Sequence, residues 1–497
     1  MSKRTDSPGL GSLGSGALTA GSFLLVSGIA AAIGVVIARE FGRSEATDGL
    51  LAAYGLFVVI VIASQAIRVA VLPQLARAQE EGRLAGELAG FAIALVLISV
   101  PLVLVSAFGS SFLASVLTGD ESEIAEDTAA DVLRWVVPAG VAHLFAAMAA
   151  SGLAAIDDYA TAAVAYTLGS SAGLAVILLR VEPDGIIAVA WGSMLNGVVT
   201  LLVVLFGLVL HAARLRMPRR AVRPSGAPVR ARLGAFAVGA ALPLALQLLY
   251  VVCLPFASRL GPGAATSFVY AYLASSSLVT VTAGSLGIVT SVPLSRAGFG
   301  ATQAARHVVA TSWLALVLVG AAGGVFALAG GILVEALLGE AYAGDIGADI
   351  GRVVAVLSLW MIAAVGVAVT FPLAFVAGRT RALPWIALAA LALQVPLAWV
   401  GSEVLELNGL ALALAVSTLL ILVALLVELG AFAGAARRLG LAAAFVAGLS
   451  VVSFVPPALV LGALASAVVG LALYLVLLAV VRPRSLRDSW HYLRALG

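Results

Sequence analysis

The chain consists largely of apolar segments that are long enough to cross a lipid bilayer. A membrane-spanning helix needs about 20 mostly apolar residues, and the composition, 62% hydrophobic and 11% charged, is far from that of a soluble globular protein. Such segments lie at 17–38, 49–72, 90–115, 132–154, 160–180, 186–211, 233–257, 267–292, 309–338, 350–376, 382–401, 408–432, 439–456 and 459–481. The sequence therefore predicts an all-α integral membrane protein with about 14 transmembrane helices.

The basic residues indicate the orientation of these segments. Short cytoplasmic loops of membrane proteins carry an excess of Lys and Arg. With a cytoplasmic N-terminus, the inner loops and tails hold 21 of the 28 basic residues, the outer loops hold six, and Arg68 lies within a span. We therefore predict that both termini lie in the cytoplasm.

An internal repeat relates the two halves of the chain. The segment from Ala38 to Ala78 recurs 219 residues later, from Ala257 to Ala297. Eight positions are identical in this register, namely Ala38, Gly42, Ala46, Thr47, Ala52, Leu75, Arg77 and Ala78, which correspond to Ala257, Gly261, Ala265, Thr266, Ala271, Leu294, Arg296 and Ala297. A repeat of this size within a membrane protein indicates a transporter with two related halves.

The repeat and the spans together predict the domain organisation. Residues 1–16 are polar, and we expect a disordered cytoplasmic N-terminus. Two pseudo-symmetric six-helix lobes follow, an N-lobe at 17–212 and a C-lobe at 233–433, joined by a basic cytoplasmic linker at 213–232. Residues 434–497 add two extra helices and a basic cytoplasmic tail. The seven arginines of the linker could also bind nucleic acid or lipid headgroups, but their cytoplasmic position favours a simple linker.

No motif for enzymatic chemistry stands in a suitable context. The chain lacks the GxxxxGK[ST] phosphate-binding loop, and the GxGxxG match at Gly9–Gly14 follows no predicted strand. The GxSxG match at Gly169–Gly173 lies in the middle of the fifth span. The single cysteine, Cys253, has no intrachain disulfide partner, and the four histidines lack metal-ligand spacing. We therefore predict that the protein is not an enzyme, needs no cofactor or metal, and binds no nucleic acid.

Charged and polar residues near the spans are the candidate substrate contacts, because an ionised side chain in hydrocarbon costs at least about 2.5 kcal/mol. Arg68 lies about one turn before the end of the second span, and Ser64 and Gln65 share its helical face. Arg68 either contacts an anion inside a cavity or extends to the inner interface, and both interpretations stay open. Arg39 and Arg259 lie at the outer ends of the first and seventh spans, at matching places in the two halves.

Glu428 is the candidate for coupling transport to an ion gradient. It lies near the inner end of the twelfth span, where a proton site and an interfacial carboxylate are both possible, and the second interpretation is favoured. Single polar residues also lie inside other spans, namely His143, Asn196, Gln247 and Gln394. We expect these four to contact neighbouring helices rather than a ligand.

Three short motifs of the first repeat segment carry a family resemblance. The runs Ala38–Gly42 (AREFG), Ala46–Asp48 (ATD) and Val71–Pro73 (VLP) resemble the opening of MurJ-type (MviN-like) lipid II flippases. More broadly, the chain looks like the multidrug/oligosaccharidyl-lipid/polysaccharide exporter superfamily. MurJ-type proteins carry arginines within the first helix, whereas Val26–Gly34 has no charge here. The resemblance therefore implies a lipid-linked saccharide as substrate class and leaves the glycan open.

The resemblance implies a flippase of the bacterial cytoplasmic (inner) membrane. Such a protein moves a polyprenyl-pyrophosphate-linked glycan to the outer leaflet by alternating access, with Arg68, Arg39, Arg259 and Gln65 as expected substrate contacts and Glu428 as the possible ion-coupling residue. Its expected partners are the lipid-linked saccharide, membrane lipids, and envelope glycosyltransferases or polymerases. Two alternatives stay open: a cation-coupled multidrug exporter of the same fold, and a non-transporting scaffold for assembly of the cell envelope.

Overall fold

The computed structural model describes residues 12–119, 122–214, 228–280 and 300–494. Within these ranges the secondary structure is helical and contains no β-strand. The α-helices in chain order are α1 (Ser12–Phe41), α2 (Glu45–Glu80), α3 (Leu84–Phe108), α4 (Ser110–Thr118), α5 (Glu123–Ala154), α6 (Tyr159–Asp184), α7 (Ile187–Arg214), α8 (Val229–Ser258), α9 (Ala264–Val279), α10 (Ala301–Leu338), α11 (Asp345–Val376), α12 (Leu383–Glu428), α13 (Phe432–Ala458), α14 (Ala463–Val481) and α15 (Arg484–Arg494). A turn of 3-10 helix, Glu340–Tyr342, lies between α10 and α11.

Most of these helices are suited to a bilayer. In the described ranges, 11 helices are long and apolar enough to cross a membrane: α2 over Glu45–Ser64, α3, α5, α6, α7 over Ile187–His211, α8, α10, α11 over Asp345–Phe375, α12, α13 and α14. The prediction of an all-α, multi-pass membrane protein is therefore confirmed. The figure of about 14 transmembrane helices stays a prediction.

Helix α12 contains two of the predicted spans, 382–401 and 408–432. It is kinked at Glu406, which has φ of 52° and ψ of −132°. A Cβ atom built on Gly401 would lie only 2.5 Å from the carbonyl oxygen of Gly409, although eight residues of straight helix extend about 12 Å. The chain therefore folds back on itself at the kink, and α12 consists of two helical arms. The predicted span 267–292 is described only as far as Thr280, in α9 and the residue after it.

Several element bounds differ from the sequence prediction. The predicted span 90–115 is interrupted, because α3 ends at Phe108 and the N–H of Gly109 donates to the carbonyl of Val105 at 2.8 Å before α4 begins. Helix α1 begins at Ser12, inside the segment 1–16 that we predicted to be disordered, and residues 1–11 lie outside the described ranges. Helix α8 begins at Val229, so the end of the predicted linker 213–232 is helical, while residues 215–227 lie outside the described ranges.

The chain divides into two compact units. The first comprises Met1–Phe41, Ala52–Val116 and Ser122–Leu244, and the second comprises Gly42–Leu51, Leu117–Glu121 and Ala245–Gly497. The change of unit therefore falls inside α8, after the predicted linker. The predicted lobes at 17–212 and 233–433, and the C-terminal segment at 434–497, stay predictions.

Helix α5 lies at the centre of the first unit, and small residues bring its neighbours close. Its C-terminal end forms a core with α6 and α7 made of Ala149, Ala150, Leu153, Ala165 and Val204. Between α6 and α7, a Cβ atom built on Gly173 would lie 2.7 Å from the carbonyl oxygen of Gly192. Such close backbone approach is typical of membrane helices, which associate through packing of small residues.

Helices α10 and α11 form the corresponding close pair in the second unit. A Cβ atom built on Gly330 would lie 2.5 Å from the Cα of Gly351. The C-terminal helices pack on α10 as well, because the hydroxyl of Tyr474 in α14 donates to the carbonyl of Val317 at 2.9 Å, and the hydroxyl of Ser450 in α13 donates to Gly320 at 3.2 Å. The two extra helices are therefore integral to the second unit.

Candidate functional site

A buried carboxylate joins the two repeat segments in the second unit. Asp48 lies in the first turn of α2 and is 5% exposed. Its Oδ2 accepts a hydrogen bond from the backbone N–H of Gly263 at 2.6 Å, and its Oδ1 accepts from the N–H and the hydroxyl of Thr266 at 2.6 and 2.5 Å. Both partners lie at the beginning of α9, so Asp48 links the first turns of two different helices.

The local sequence explains why this link forms. The first N–H groups of a helix have no partner within the helix, and its N-terminus favours a negative charge. Ser44 serves α2, since its hydroxyl oxygen accepts from the N–H of Thr47 at 3.2 Å. Gly263, which precedes α9, has φ of 74° and no side chain with which to cap the helix. Asp48 therefore supplies from α2 the cap that α9 lacks.

Two further contacts hold the same cluster together. The Nε of Arg43 donates to the carbonyl of Gly263 at 2.8 Å, and the hydroxyl of Tyr342 donates to the carbonyl of Gly42 at 2.9 Å. The ring of Tyr342 packs edge-on against Tyr270, with 5.5 Å between the ring centroids. Burial raises the pKa of Tyr342 above its ordinary value, so its hydroxyl remains a neutral donor at physiological pH.

We call Asp48, Arg43, Gly263, Thr266 and Tyr342 the repeat joint. Both carboxylate oxygens of Asp48 are held by donors of one helix end, which suits a fixed connection better than a contact that must accept and release a substrate. In the predicted orientation this joint lies at the outer ends of α2 and α9.

The predicted substrate contacts lie in different parts of the chain. Arg68 and Gln65 belong to α2, but their side chains lie outside the described residues. Arg39 lies in the last turn of α1 and is exposed. Arg259 follows the end of α8, is also exposed, and places its guanidinium carbon 5.6 Å from the centre of the Phe256 ring. The role of these four residues as substrate contacts stays a prediction.

Glu428, the candidate for ion coupling, is the last residue of α12. Its side chain is half-buried, and its backbone carbonyl accepts a hydrogen bond from the guanidinium of Arg379. A carboxylate at a helix end beside an arginine is what the interfacial interpretation predicts, whereas ion coupling through Glu428 stays a prediction.

The polar residues inside spans mostly contact neighbouring helices. The hydroxyl of Tyr272 in α9 donates to Gln247 in α8 at 3.1 Å, and the side-chain amide of Gln394 in α12 donates to the sulfur of Cys253 in α8 at 3.2 Å. His143 in α5 packs between aromatic rings of α2 and α6. The expectation of inter-helix contacts is therefore confirmed for these three. The side-chain oxygen of Asn196 in α7 accepts from the Thr200 hydroxyl of the same helix at 3.3 Å, and it lies against Gly169 of α6.

No local sequence pattern predicts the repeat joint. Asp48 stands out only as part of the ATD motif, and the sequence gives no signal at Tyr342. One signal was present, because Thr266 is the repeat counterpart of Thr47, the residue next to Asp48. Among the residues that the structure describes, no group of three or more His, Cys, Asp or Glu side chains is placed to hold a metal ion.

Comparison with known proteins gives matches in structure only. No protein-family model and no curated protein sequence matches the chain. A structure of the lipid II flippase MurJ in an inward closed conformation matches with a TM-score of 0.72 at 14% identity, covering 94% of this chain and 99% of the other. An inward-facing MATE-family multidrug resistance transporter matches with a TM-score of 0.61 at 16% identity, covering 83% and 94%. A transporter of the MOP superfamily from Pyrococcus furiosus gives 0.60 at 16% identity, covering 86% and 96%.

These matches agree with the resemblance seen in the first repeat segment. The matched structures are described as a flippase and as transporters, and each is covered over more than nine-tenths of its length. The chain therefore shares its fold with the MurJ structure and with these transporter structures.

Proposed function

We propose that this chain is a transporter that moves a polyprenyl-pyrophosphate-linked glycan, or a similar anionic amphipathic lipid, from the inner to the outer leaflet. The observation that carries the proposal is the extent of the structural match. The MurJ structure accounts for 94% of the chain, whereas the inward-facing MATE transporter accounts for 83%. On this proposal, envelope glycosyltransferases supply the lipid-linked saccharide at the inner face, and glycosyltransferases or polymerases consume it outside.

The predicted C-terminal segment 434–497 supplies the helices beyond the two predicted lobes. Helices α13 and α14 occupy most of this segment and pack on α10. Their outward surfaces are apolar and exposed, with Val451, Val452, Leu464 and Val468 each more than half exposed. Two additional apolar helices provide a surface along which a polyprenyl chain can stay in the bilayer while its headgroup crosses.

The negative charges of the headgroup need positively charged partners during transport, because an unpaired charge is very costly in hydrocarbon. Arginine suits this task, since its planar fork binds a phosphate through two parallel hydrogen bonds. We assign the inner contact to Arg68, with Gln65 on the same helical face, and the outer contacts to Arg39 and Arg259. A headgroup that enters from the cytoplasm would then meet Arg68 first and the outer pair last.

On this proposal, the repeat joint is the contact that must open or stay closed during alternating access. In alternating access, a central site opens to one side and then to the other. The hydrogen bonds of Asp48 fasten the first turn of α2 to α9. Because α9 begins at this joint, any separation of the two helices at the predicted outer end must break these bonds.

A flipping assay with purified variants tests the assignment of Arg68. Arg68→Leu should abolish outward movement of a fluorescent polyprenyl-pyrophosphate saccharide in proteoliposomes, and Arg68→Lys should be intermediate. Loss of one hydrogen bond to a charged group costs about 1.5–3 kcal/mol, which corresponds to roughly 10- to 150-fold in affinity. Arg77→Leu is the matched control, because Arg77 is an exposed arginine near the end of the same helix. Equal flipping by the Arg68→Leu variant and the wild-type protein would remove Arg68 from the site.

The second candidate is a cation-coupled multidrug exporter, which the match to the MATE-family transporter favours. The two functions differ in substrate and in energy source. If the chain exports drugs, a proton or sodium gradient should drive the transport of a cationic dye. A polyprenyl-pyrophosphate saccharide should not compete with the dye for transport. Gradient-independent flipping of the lipid without dye export would exclude this candidate.

A further inference from the structure

An open cavity lies in the second unit beside the C-terminal helix. It has a volume of about 820 Å³ and is bounded by the first turns of α10, by the early part of α13, and by α15 with the residue before it. The side chains that matter here are Arg306, Trp313, Arg438, Phe445, Asp488 and Tyr492. The predicted orientation places this end of the second unit at the cytoplasmic surface of the membrane.

The turn before α15 directs this helix towards α10. Arg482, the residue after α14, has a left-handed backbone with φ of 40°, so the chain leaves the axis of α14. Pro483 follows, and α15 begins at Arg484. The hydroxyl of Tyr492 then comes 3.4 Å from the Nδ1 of His307, and the guanidinium carbon of Arg306 lies 5.1 Å from the centre of the Tyr492 ring. Helix α15 therefore closes one side of the cavity.

The lining of the cavity combines an apolar part with a charged part. Trp313 is 3% exposed and packs against Phe445, with 6.0 Å between the ring centroids. Val309 and Leu441 extend the same apolar wall. Arg306 and Arg438 line the cavity as well and are both exposed, so their charges are accessible to a ligand. A ligand that fits both parts has an anionic head and an apolar tail.

The charges around the cavity favour a phosphate headgroup. The lining contains two guanidinium groups, those of Arg306 and Arg438, and one carboxylate, that of Asp488, so it carries a net positive charge. Arginine matches the geometry of phosphate with two parallel hydrogen bonds. Basic residues at a cytoplasmic membrane surface also attract the anionic lipids of that leaflet. A diacyl phospholipid is therefore a better match than a soluble anion, which would leave the apolar wall without a partner.

We propose that this cavity binds an anionic phospholipid of the inner leaflet, with its phosphate against Arg306 and Arg438 and an acyl chain along Trp313 and Phe445. The lipid binds within the second unit and is not the transported substrate. By contacting α10, α13 and α15 at once, it fastens the C-terminal helix to the two helices beside it. The inference uses the predicted orientation but not the proposed transport of a lipid-linked glycan.

Binding of phosphatidylglycerol to the purified full-length chain tests the proposal. We expect native mass spectrometry to retain one phosphatidylglycerol per chain, with saturation, and the lipid to raise the thermal unfolding temperature. Phosphatidylcholine with the same acyl chains should do neither. Arg306→Gln combined with Arg438→Gln should weaken phosphatidylglycerol binding at least tenfold. Leu441→Trp should weaken it too, because Leu441 lines the cavity, is 62% exposed, and can be enlarged without disturbing a packed core.

The control removes the same number of charges next to the cavity but not in it. Arg437 and Arg484 are exposed, adjoin lining residues in sequence, and do not line the cavity. Arg437→Gln combined with Arg484→Gln should therefore bind phosphatidylglycerol as the wild type does. An equal loss of phosphatidylglycerol binding in this control would mean that the lipid is attracted by the overall positive charge of the surface. That result would contradict the proposed site. Stabilisation by inorganic phosphate to the same extent as by the lipid would overturn it as well. If phosphatidylglycerol binds but the lipid-linked saccharide is not flipped, the proposed lipid site is supported and the proposed function is contradicted.

Discussion

Asp48 and Thr266 are joined by two hydrogen bonds to the same carboxylate oxygen, at 2.6 Å from the backbone N–H and 2.5 Å from the hydroxyl of Thr266. Thr266 is the counterpart of Thr47 in the internal repeat, and Thr47 directly precedes Asp48. The duplicated segments thus meet at equivalent helix starts. Asp48 of the first segment supplies the carboxylate that accepts hydrogen bonds from Gly263 and Thr266 of the second segment.

Removal of this carboxylate should destabilise the protein. Asp48→Ala leaves the buried donors of Gly263 and Thr266 without an acceptor, which costs about 1.5–3 kcal/mol. Asp48→Asn should cost less, because one oxygen remains to accept. Thermal unfolding in detergent measures both. Asp345→Ala is the matched control, since Asp345 is an exposed acidic residue in the first turn of α11. An equal decrease in all three variants would mean that Asp48 acts only through the helix dipole.

In the first unit, substitutions of Arg232 and Glu87 should have strongly coupled effects on the free energy of unfolding. Arg232 is 3% exposed, lies 2.8 Å from the Glu87 carboxylate and stacks 5.4 Å from the centre of the Phe91 ring. Glu87→Gln removes the negative charge that the buried guanidinium of Arg232 contacts, which costs up to about 3–5 kcal/mol. Gly90→Ala should also destabilise, because the new Cβ would lie 2.3 Å from the guanidinium carbon of Arg232.

A double-mutant cycle on thermal unfolding separates the pair from its surroundings. Glu87→Leu combined with Arg232→Met should be less destabilising than the sum of Glu87→Leu alone and Arg232→Met alone, since neither charge remains buried in the double variant. The exposed pair of Arg134 and Asp131 is the control, and Asp131→Asn should cost no more than about 1 kcal/mol. Additive effects at positions 87 and 232 would contradict the coupling.

The sequence predicted the helices well, because length and apolarity decide whether a segment can span a bilayer. It did not predict where charged residues find partners. The sequence places Arg232 among the charges of the basic cytoplasmic linker, yet its side chain is buried against α3, the first turn of which carries Glu87. Gly90 makes room for its guanidinium. These contacts are between residues far apart in sequence, so no local pattern indicates them.

For the repeat joint, the sequence predicted the correspondence of the two segments but not the contacts between them. Duplication placed Thr47 and Thr266 in register, and this was visible in the sequence. The pairing of Asp48 with the start of α9 depends on how the loop after α8 folds, and on Gly263 adopting a positive φ of 74°. Tyr342 joins the cluster from a third region, 300 residues from Gly42.

Labelling of single cysteines should establish the orientation. In a Cys253→Ser background, Asp127→Cys and Asp345→Cys should react with an impermeant thiol reagent added to intact cells. Glu80→Cys and Arg437→Cys should react only after the membrane is opened. All four positions are exposed, so a difference in labelling reflects the side of the membrane. The reverse pattern would overturn the predicted cytoplasmic termini.

Substitution of Glu428 should leave transport unchanged. This half-buried residue ends α12, and its backbone carbonyl is already bonded to Arg379. Glu428→Gln should therefore keep both the rate of flipping and its pH dependence. The measurement is flipping in proteoliposomes at several pH values, with protein content matched. Loss of the pH dependence at normal membrane abundance would instead establish Glu428 as an ion-coupling residue.

Two glycine substitutions should change the stability in opposite directions, one at the close contact of α10 and α11 and one on α13. A Cβ atom on Gly351 would lie 2.7 Å from the Cα of Gly330, and backbone atoms cannot move aside as a side chain can. Gly351→Ala should therefore destabilise the protein by about 1–3 kcal/mol, the usual cost of overpacking. Gly448 lies inside α13 with no atom within 4 Å of its added Cβ, so Gly448→Ala should stabilise by about 0.5–1 kcal/mol through helix propensity. Thermal unfolding of the two variants measures both effects. An unfolding temperature of Gly351→Ala at or above that of the wild type would show that α10 and α11 do not pack this closely.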